Sequence, residues 1–406
     1  MNKINLSRLK STFYTSSNIG RTCNGGLTRL PLSMEDKKMR GVFVEWLKNA
    51  GLKIRIDDLG NIYGRREGYK NDLGGVMMGS HLDTQPNGGR FDGIMGVLSA
   101  LEVIRTLNDY NVKTRRAIEI VNFTAEESGR FDIPMVGSGV LTDKYSKEFV
   151  YSLKDNNGLS FEESLEEIGY KGEEKNRLTN FNINYYIEAH IEQSVSLEEN
   201  EKSIGVVQGI EGVTNLTVTV EGQSSHSIYP AHKRKDALLA ASEMILSIEN
   251  LQKQFNVNPY VGKFKVFPSK PTTTAEKVEF TFGIKHYEDD IRNETITFIR
   301  RQLQKIAESR NVYLKISPFW EMTSTKFSNE IINLIETASI HNNYSYQKML
   351  SPAGHDARYM NDILKTGMIF APSNQGLSHC EEEYTSFSDI EKVTNTLFYI
   401  IKHLSS

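Results

Sequence analysis

The sequence predicts an α/β domain with a mostly parallel sheet, interrupted by a smaller α+β domain. Two observations predict it. Apolar strand patterns centred near residues 77, 120, 187 and 369 each run straight into a polar, ligand-bearing loop, as the strand ends of open α/β sheets do. Between the third and fourth of these strands the pattern changes to β-α-β-β-α-β, the order of a ferredoxin-like antiparallel unit. A chain of 406 residues is also long for a single core and suits two domains.

In chain order, residues 1–50 read as helix and turn, ending in an amphipathic helix whose stripe is Met39, Val42, Phe43, Trp46 and Leu47. Arg29 follows a Gly-Gly turn and reads first as a surface charge, second as a substrate contact. Lys53 to Tyr63 alternates as a strand around Gly60-Asn61, and Gly75 to Met78 is an apolar strand ending in Gly79-Ser-His81-Leu-Asp83-Thr84. Arg90-Phe-Asp92-Gly93 follows. Ile94, Val97, Leu98, Leu101 and Ile104 then recur at helical spacing, with Glu102, Arg105 and Asn108 between them. Taken alone, His81 and Asp92 suit a capping histidine and a turn aspartate as well as a metal site.

The other strand ends shift that balance. Ile118 to Phe123 stops at Glu126-Glu127. An adjacent acid pair is usually solvated surface, but at a strand's carboxyl end one carboxylate can ligate while its neighbour faces substrate. Tyr185 to Ala189 runs into His190, and Gly367 to Ala371 leads to Ser378-His379. In the inserted segment, strands are expected at 214–220, 260–267, 277–284 and 312–316, with helices over 236–254 and 289–309. A helix over 329–341 returns the chain to the first domain. The expected domains are therefore 1–210 and 326–406, which together form the metal-binding domain, and an insert at 211–325.

Composition narrows the chemistry. The net charge is -3 with signs interspersed, so nothing suggests nucleic acid or an anionic membrane as partner. No apolar run reaches membrane-spanning length, and no apolar block marks the N-terminus as a secretory signal. Two cysteines, Cys23 and Cys380, are too few for a disulfide framework and point to a reducing cytoplasm. No Gly-x-Ser-x-Gly elbow supports nucleophilic catalysis, and Cys380 has only a sequence neighbour in His379.

His81, Asp92, Glu127, His190 and His379 are one ligand too many for a structural zinc and lack its preferred thiolates. Five N/O ligands with one bridging carboxylate suit two divalent ions about 3.5 Å apart. Asp92 is the expected bridge, with His81 and His190 on one ion and Glu127 and His379 on the other. Zinc, manganese, cobalt and nickel all suit such a donor set. Glu126 is left to move a proton, and the Asp83 carboxylate is expected on the other ring nitrogen of His81. The reaction class is metal-assisted hydrolysis of an amide-like bond.

The runs Gly79-Ser-His-Leu-Asp-Thr, Phe91-Asp-Gly, Glu126-Glu-Ser-Gly-Arg-Phe, Gly137-Ser-Gly-Val, Glu188-Ala-His-Ile-Glu-Gln, Ile204-Gly-Val-Val-Gln-Gly-Ile-Glu-Gly, Ala353-Gly-His-Asp-Ala and Met368-Ile-Phe-Ala-Pro-Ser carry a resemblance across both halves of the metal-binding domain. They resemble the dinuclear amidases comprising N-carbamoyl-L-amino-acid amidohydrolases, allantoate amidohydrolases and β-ureidopropionases, a branch of the carboxypeptidase and aminoacylase-like metallohydrolases. A histidine at position 190 favours the carbamoyl-amidase branch. The resemblance implies a phosphorylase/hydrolase-like catalytic domain and a homodimer joined through the insert, which acts as a lid. It implies that His226 reaches the partner's site to hold the oxyanion, and that Gln193, Ala353 and Gly354 contact substrate. It also implies cleavage of an N-carbamoyl-L-amino acid or related ureido acid, with release of ammonia and carbon dioxide. An N-acyl-amino-acid or dipeptide hydrolase is the alternative on the same scaffold, and a non-catalytic binding protein the alternative of another class.

The insert departs from the family pattern. After His226 the run Ser227-Ile-Tyr-Pro230 is one residue short. Thr272, Gly283 and Lys285 stand where the family carries an asparagine and an Asp-x-Arg carboxylate grip. Lys285 keeps a charge without arginine's bidentate fork, a loss on the order of 1–3 kcal/mol in carboxylate binding.

Overall fold

The computed structural model describes residues 3–70 and 72–406; residues 1 and 2, at the head of the expected N-terminal helix-and-turn region, and residue 71 lie outside the described residues. The chain forms two compact units, one comprising residues up to Gln208 together with Phe327–Ser406, the other Gly209–Lys326. Its strands are β1 (Lys53–Ile56), β2 (Ile62–Arg66), β3 (Gly75–His81), β4 (Ile118–Phe123), β5 (Ile183–Ile191), β6 (Ile204–Ile210), β7 (Gly212–Glu221), β8 (Asn258–Phe267), β9 (Lys277–His286), β10 (Tyr313–Met322), β11 (Thr325–Lys326), β12 (Tyr346–Ser351) and β13 (Lys365–Ala371).

The larger sheet runs β1-β2-β4-β3-β5-β13-β6-β11, with β12 also against β6. Its centre is parallel, at the pairs β4–β3, β3–β5 and β5–β13. The flanking pairs β1–β2, β2–β4, β13–β6 and β6–β11 are antiparallel. The sheet is therefore mixed, and the expectation of a mostly parallel one is corrected. The single strand expected over 53–63 is a hairpin, β1–β2, whose short link through Gly60 cannot supply the crossover that a parallel pair needs.

The parallel centre is what positions the site. β3, β4 and β13 are buried almost throughout, and their carboxyl ends lie together. The helix Ile94–Asp109 is buried on nearly every side rather than presenting a polar face. Glu102, read from sequence as one of its polar positions, is buried and paired with Arg8 at 2.8 Å. The helix Phe387–Ser405 packs against it and against β13. Arg29 is neither a surface charge nor a substrate contact. It is fully buried and donates to the carbonyls of Ser16, Ile19 and Leu82, tying the N-terminal helix to the loop after β3.

The smaller unit contains the sheet β10-β7-β9-β8, antiparallel throughout. Its helices Ala237–Glu249 and Asp289–Ser309 pack on a core that includes Leu216, Val218, Met244, Phe280, Phe282, Ile299 and Leu303. The insert begins and ends on paired residues, Ile210 opposite Thr325 and Gly209 opposite Lys326.

Candidate metal centre

Each parallel strand hands over a ligand-type side chain at or beyond the point where its hydrogen-bonded run stops. β3 ends at His81, β5 carries His190, the loop after β4 carries Glu126 and Glu127, and the loop after β13 carries His379. Asp92 stands one residue before Gly93, the N-cap of the helix Ile94–Asp109, where the positive end of the helix dipole favours a carboxylate.

The structure gathers these side chains into two triplets with ligand-type atoms close enough for one ion each: His81, Asp92 and His190, and Asp92, Glu127 and His379. Asp92 belongs to both. Its Oδ1 lies 3.0 Å from His190 Nε2 and 3.8 Å from His81 Nε2, and its Oδ2 lies 3.1 Å from His379 Nε2. His379 Nε2 is 3.5 Å from Glu127 Oε1. Glu126 belongs to neither triplet, yet its Oε2 is 3.6 Å from His81 Nε2.

Backbone contacts aim the rings. His81 Nδ1 bonds to the Asp83 carbonyl at 3.0 Å, and His190 Nδ1 to the Ile191 carbonyl at 2.9 Å, so both Nε2 atoms face inward. This corrects the expected role of Asp83: its carboxylate Oδ1 is 3.8 Å from the ring, while Oδ2 accepts the Glu127 N–H at 3.0 Å. The short turn after His81 brings the backbone oxygen to the ring first, and the side chain is left to fix the second acidic loop. That loop is further tied down by hydrogen bonds from Met135, Val136 and Gly137 N–H to the carbonyls of Glu126, Ala125 and Thr124. Ala125 adopts a left-handed φ of 55°, a strained position for a residue with a Cβ, directly before the acid pair.

The donor set fits divalent cations. Burial, then the charge of Glu127, pushes Glu126 well above the usual carboxylate range, and burial, then Asp92, lifts Glu127 to about 8. Burial also lifts Asp83 to about 7 and lowers His81 to about 4. Asp92, by contrast with these carboxylates, is driven well down, the hydrogen bonds from His190 and His379 overcoming the opposing effect of its burial. So many buried carboxylates repelling one another are the surroundings that a bound cation's charge relieves. Gln193, at a left-handed φ of 58°, donates from Nε2 to Asp92 Oδ2 at 2.9 Å, while its Oε1 is buried with no protein partner.

A match to the Peptidase family M20/M25/M40 spans residues 77–403 and so takes in every one of these side chains. The chain belongs to this family. It is 32% identical to an N-carbamoyl-L-amino-acid amidohydrolase of Pseudomonas sp. (strain NS671), covering 99% of both chains. It is 28% identical to an allantoate amidohydrolase of Bacillus subtilis (strain 168), covering 92% of this chain and 91% of the relative. The crystal structure of a hydantoinase/carbamoylase family amidase from Burkholderia multivorans superposes with a TM-score of 0.95 at 33% identity, covering 100% of this chain and 98% of that one. M20 hydrolases are metal-dependent, and the triplets around Asp92 are candidate ligand groups of this member.

The remaining expected contacts are placed as follows. Ala353 and Gly354 lie on the loop between β12 and the helix Asp356–Met360, where the Ser351 hydroxyl bonds to Ala353. In the smaller unit, exposed His226 bridges to Thr273, and its Nδ1 accepts the Ile228 N–H at 3.3 Å. Ser227 N–H bonds to the Thr272 carbonyl, Lys285 lies over the Tyr260 ring, and that ring covers Gly283.

Sequence reasoning missed three buried polar groups beside the centre. His355 packs its ring 4.4 Å from that of His190. Glu188, one side chain before Ala189 on β5, accepts from Ser80 at 2.7 Å and from Ala357 N–H at 2.9 Å. Glu383 is 1% exposed and accepts both the Phe91 and Asp92 N–H. The first two lie within the runs 353–357 and 188–193; the third sits in the acidic run Glu381-Glu-Glu383.

Proposed function

We propose that this chain is a metal-dependent amidohydrolase cleaving the linear amide C–N bond of an N-carbamoyl-L-amino acid or related ureido acid, with release of ammonia and carbon dioxide. The observation that carries the reading is Asp92, whose two oxygens are divided between two ligand sets while Glu126 lies beside them unligated. In this reading His81 and His190 would hold one divalent ion, Glu127 and His379 a second, and Asp92 would serve both; the imidazole and carboxylate donors suit zinc, manganese, cobalt or nickel. Such ions, when bound, polarise a carbonyl and acidify water.

The chain's own residues supply the rest. Glu126, raised in pKa by burial and by Glu127, takes a proton from the attacking water and passes it to the departing nitrogen. Gln193, beside Asp92, and the backbone at Ala353 and Gly354 orient the ureido and carboxylate ends of substrate. His226 steadies the developing oxyanion and Lys285 supplies a cation for the substrate carboxylate. The smaller unit serves as lid and homodimer contact. In support, its helix Ala237–Glu249 exposes Leu238, Leu239 and Leu246, and β8, at the edge of its sheet, exposes Tyr260, Val261 and Phe264. Cys23 and Cys380 are free thiols, as suits a cytoplasmic enzyme, and among the described residues no helix is long and apolar enough to cross a membrane.

The test is hydrolysis of a panel of N-carbamoyl-L-amino acids, allantoate, N-acyl amino acids and dipeptides by chelator-stripped protein reloaded with each metal. Ammonia release from the ureido substrates alone supports the reading. Free carboxylic acid from acyl substrates assigns the N-acyl alternative instead. Glu126→Gln is expected to keep its metal and lose turnover by roughly 10²–10⁴-fold; unchanged turnover removes Glu126 from the mechanism.

A further inference from the structure

We propose that Glu383 is a positioning residue that keeps the second lone pair of Asp92 Oδ2 available to a cation, by claiming the Ser378 hydroxyl proton that would otherwise take it. The inference rests on the two-ion reading above.

Three contacts carry it. Glu383 Oε1 accepts the Phe91 N–H at 3.0 Å and the Asp92 N–H at 3.1 Å, so one carboxylate oxygen fixes the backbone on which Asp92 is mounted. Glu383 Oε2 faces the Ser378 hydroxyl at 2.8 Å, directly before His379. The Ser378 oxygen is also 3.2 Å from Asp92 Oδ2 and accepts from Gln193 Nε2 at 3.0 Å. A hydroxyl has a single proton, so donation to Glu383 and donation to Asp92 are alternatives. The shorter contact, to Glu383, takes it, and Asp92 Oδ2, which already accepts the Gln193 N–H at 2.9 Å, keeps its second lone pair free of Ser378.

The loop before Asp92 is shaped around this carboxylate. Gly89 lies so close to Glu383 that a Cβ there would overlap its Oε1 and the carboxyl carbon. With Glu383 tied to Phe91 and Asp92 on one side and to Ser378 on the other, the loop bearing the bridge and the loop bearing His379 are joined through one buried side chain.

The arrangement predicts an asymmetry that a plain structural role does not. In Glu383→Gln the side-chain oxygen must stay on the two backbone N–H groups, because an NH₂ there would face two donors. The NH₂ then points at Ser378, donates to its oxygen, and turns the hydroxyl proton onto Asp92 Oδ2, where it competes with the cation. Removing that hydroxyl relieves the competition.

The experiment is calorimetric titration of chelator-stripped protein with cobalt(II), with the cobalt d–d absorption recorded in parallel. The set is wild type, Glu383→Gln, Ser378→Ala, the double variant and Glu383→Ala, each checked for unaltered thermal unfolding in the stripped state. Glu383→Gln is expected to weaken one of two cobalt sites about 10- to 100-fold, the range for groups that orient metal ligands. The double variant is expected to recover at least tenfold of a hundredfold loss, which makes the cycle non-additive, and to restore the absorption band. Equal weakening with and without the Ser378 hydroxyl overturns the proposal, as does wild-type affinity in Glu383→Gln. A wild-type protein that takes up fewer than two cobalt ions refutes the two-ion reading itself, an outcome read from wild type alone.

Discussion

Gly93 offers the sharpest test of how the centre is built. It adopts φ 65° and ψ -46°, outside the regions open to L-residues, and its N–H reaches His190 Nε2 at 3.1 Å. An ideally placed Cβ would lie 2.2 Å from His81 Nε2, the nitrogen that faces the other ligands. Since real Cβ contacts essentially never fall under 3.0 Å, Gly93→Ala forces the imidazole or the loop to give way by about 0.8 Å. The backbone conformation adds about 1–2 kcal/mol of strain. A displacement approaching 1 Å in a reacting assembly costs on the order of 10²-fold in rate. The variant should therefore fold, with a modest loss of stability, while its affinity for a divalent ion falls about 10- to 100-fold and kcat/KM falls on the order of 10²-fold. Metal content after dialysis, read by elemental analysis beside kcat/KM, checks both. A Gly93→Ala protein with wild-type metal content and turnover would refute the placement of His81 Nε2 as a ligand.

Two further perturbations probe the surrounding frame. Arg40→Met strips the partner from buried Asp36 and from the Gly60 carbonyl and Thr124 hydroxyl, and should cost about 3–5 kcal/mol in denaturant unfolding; a loss under 1 kcal/mol would mean that the pair is not held as described. His355 is lowered well below 6.5 by burial and, next, by the charge of His190, so as pH falls below 6.5 the unfolded chain takes up a proton that the fold refuses. Stability must then drop on acidification, by up to about 1.4 kcal/mol per pH unit from this residue. His355→Asn should flatten the difference between urea midpoints at pH 7.5 and 5.5 in stripped protein, and an unchanged difference contradicts the assignment.

The clustering of the strand ends at the candidate site was legible because His81 and His190 close apolar runs and Glu126, Glu127 and His379 follow others in the next loop, and the alternation of the insert was long enough to give its element order. Strand direction was not legible: side-chain period is the same in parallel and antiparallel neighbours, so the hairpin 53–66 and the reversed β6 leave no mark. Polar residues deceived in both directions. Glu102 and Arg29 are buried with partners ten or more residues away, and Glu381 and Glu383, in one acidic run, go to different places. Glu381 bonds outward to Asn24, while Glu383 turns under Asp92, a distinction set by which backbone N–H groups the fold leaves unpaired nearby. Asp83 was placed beside the right histidine but not in the right bond, since sequence spacing fixes proximity and not which oxygen arrives first.

The pairing of Gly209–Ile210 with Thr325–Lys326 means that the whole excursion of chain between them starts and stops at neighbouring points. Closing such a loop costs little more as it lengthens, each doubling adding only about 0.6 kcal/mol. A gene segment coding for this stretch could thus be traded for one of another size with almost no thermodynamic penalty at the junction, while the unit that gathers His81, Asp92, His190 and His379 stays as it is.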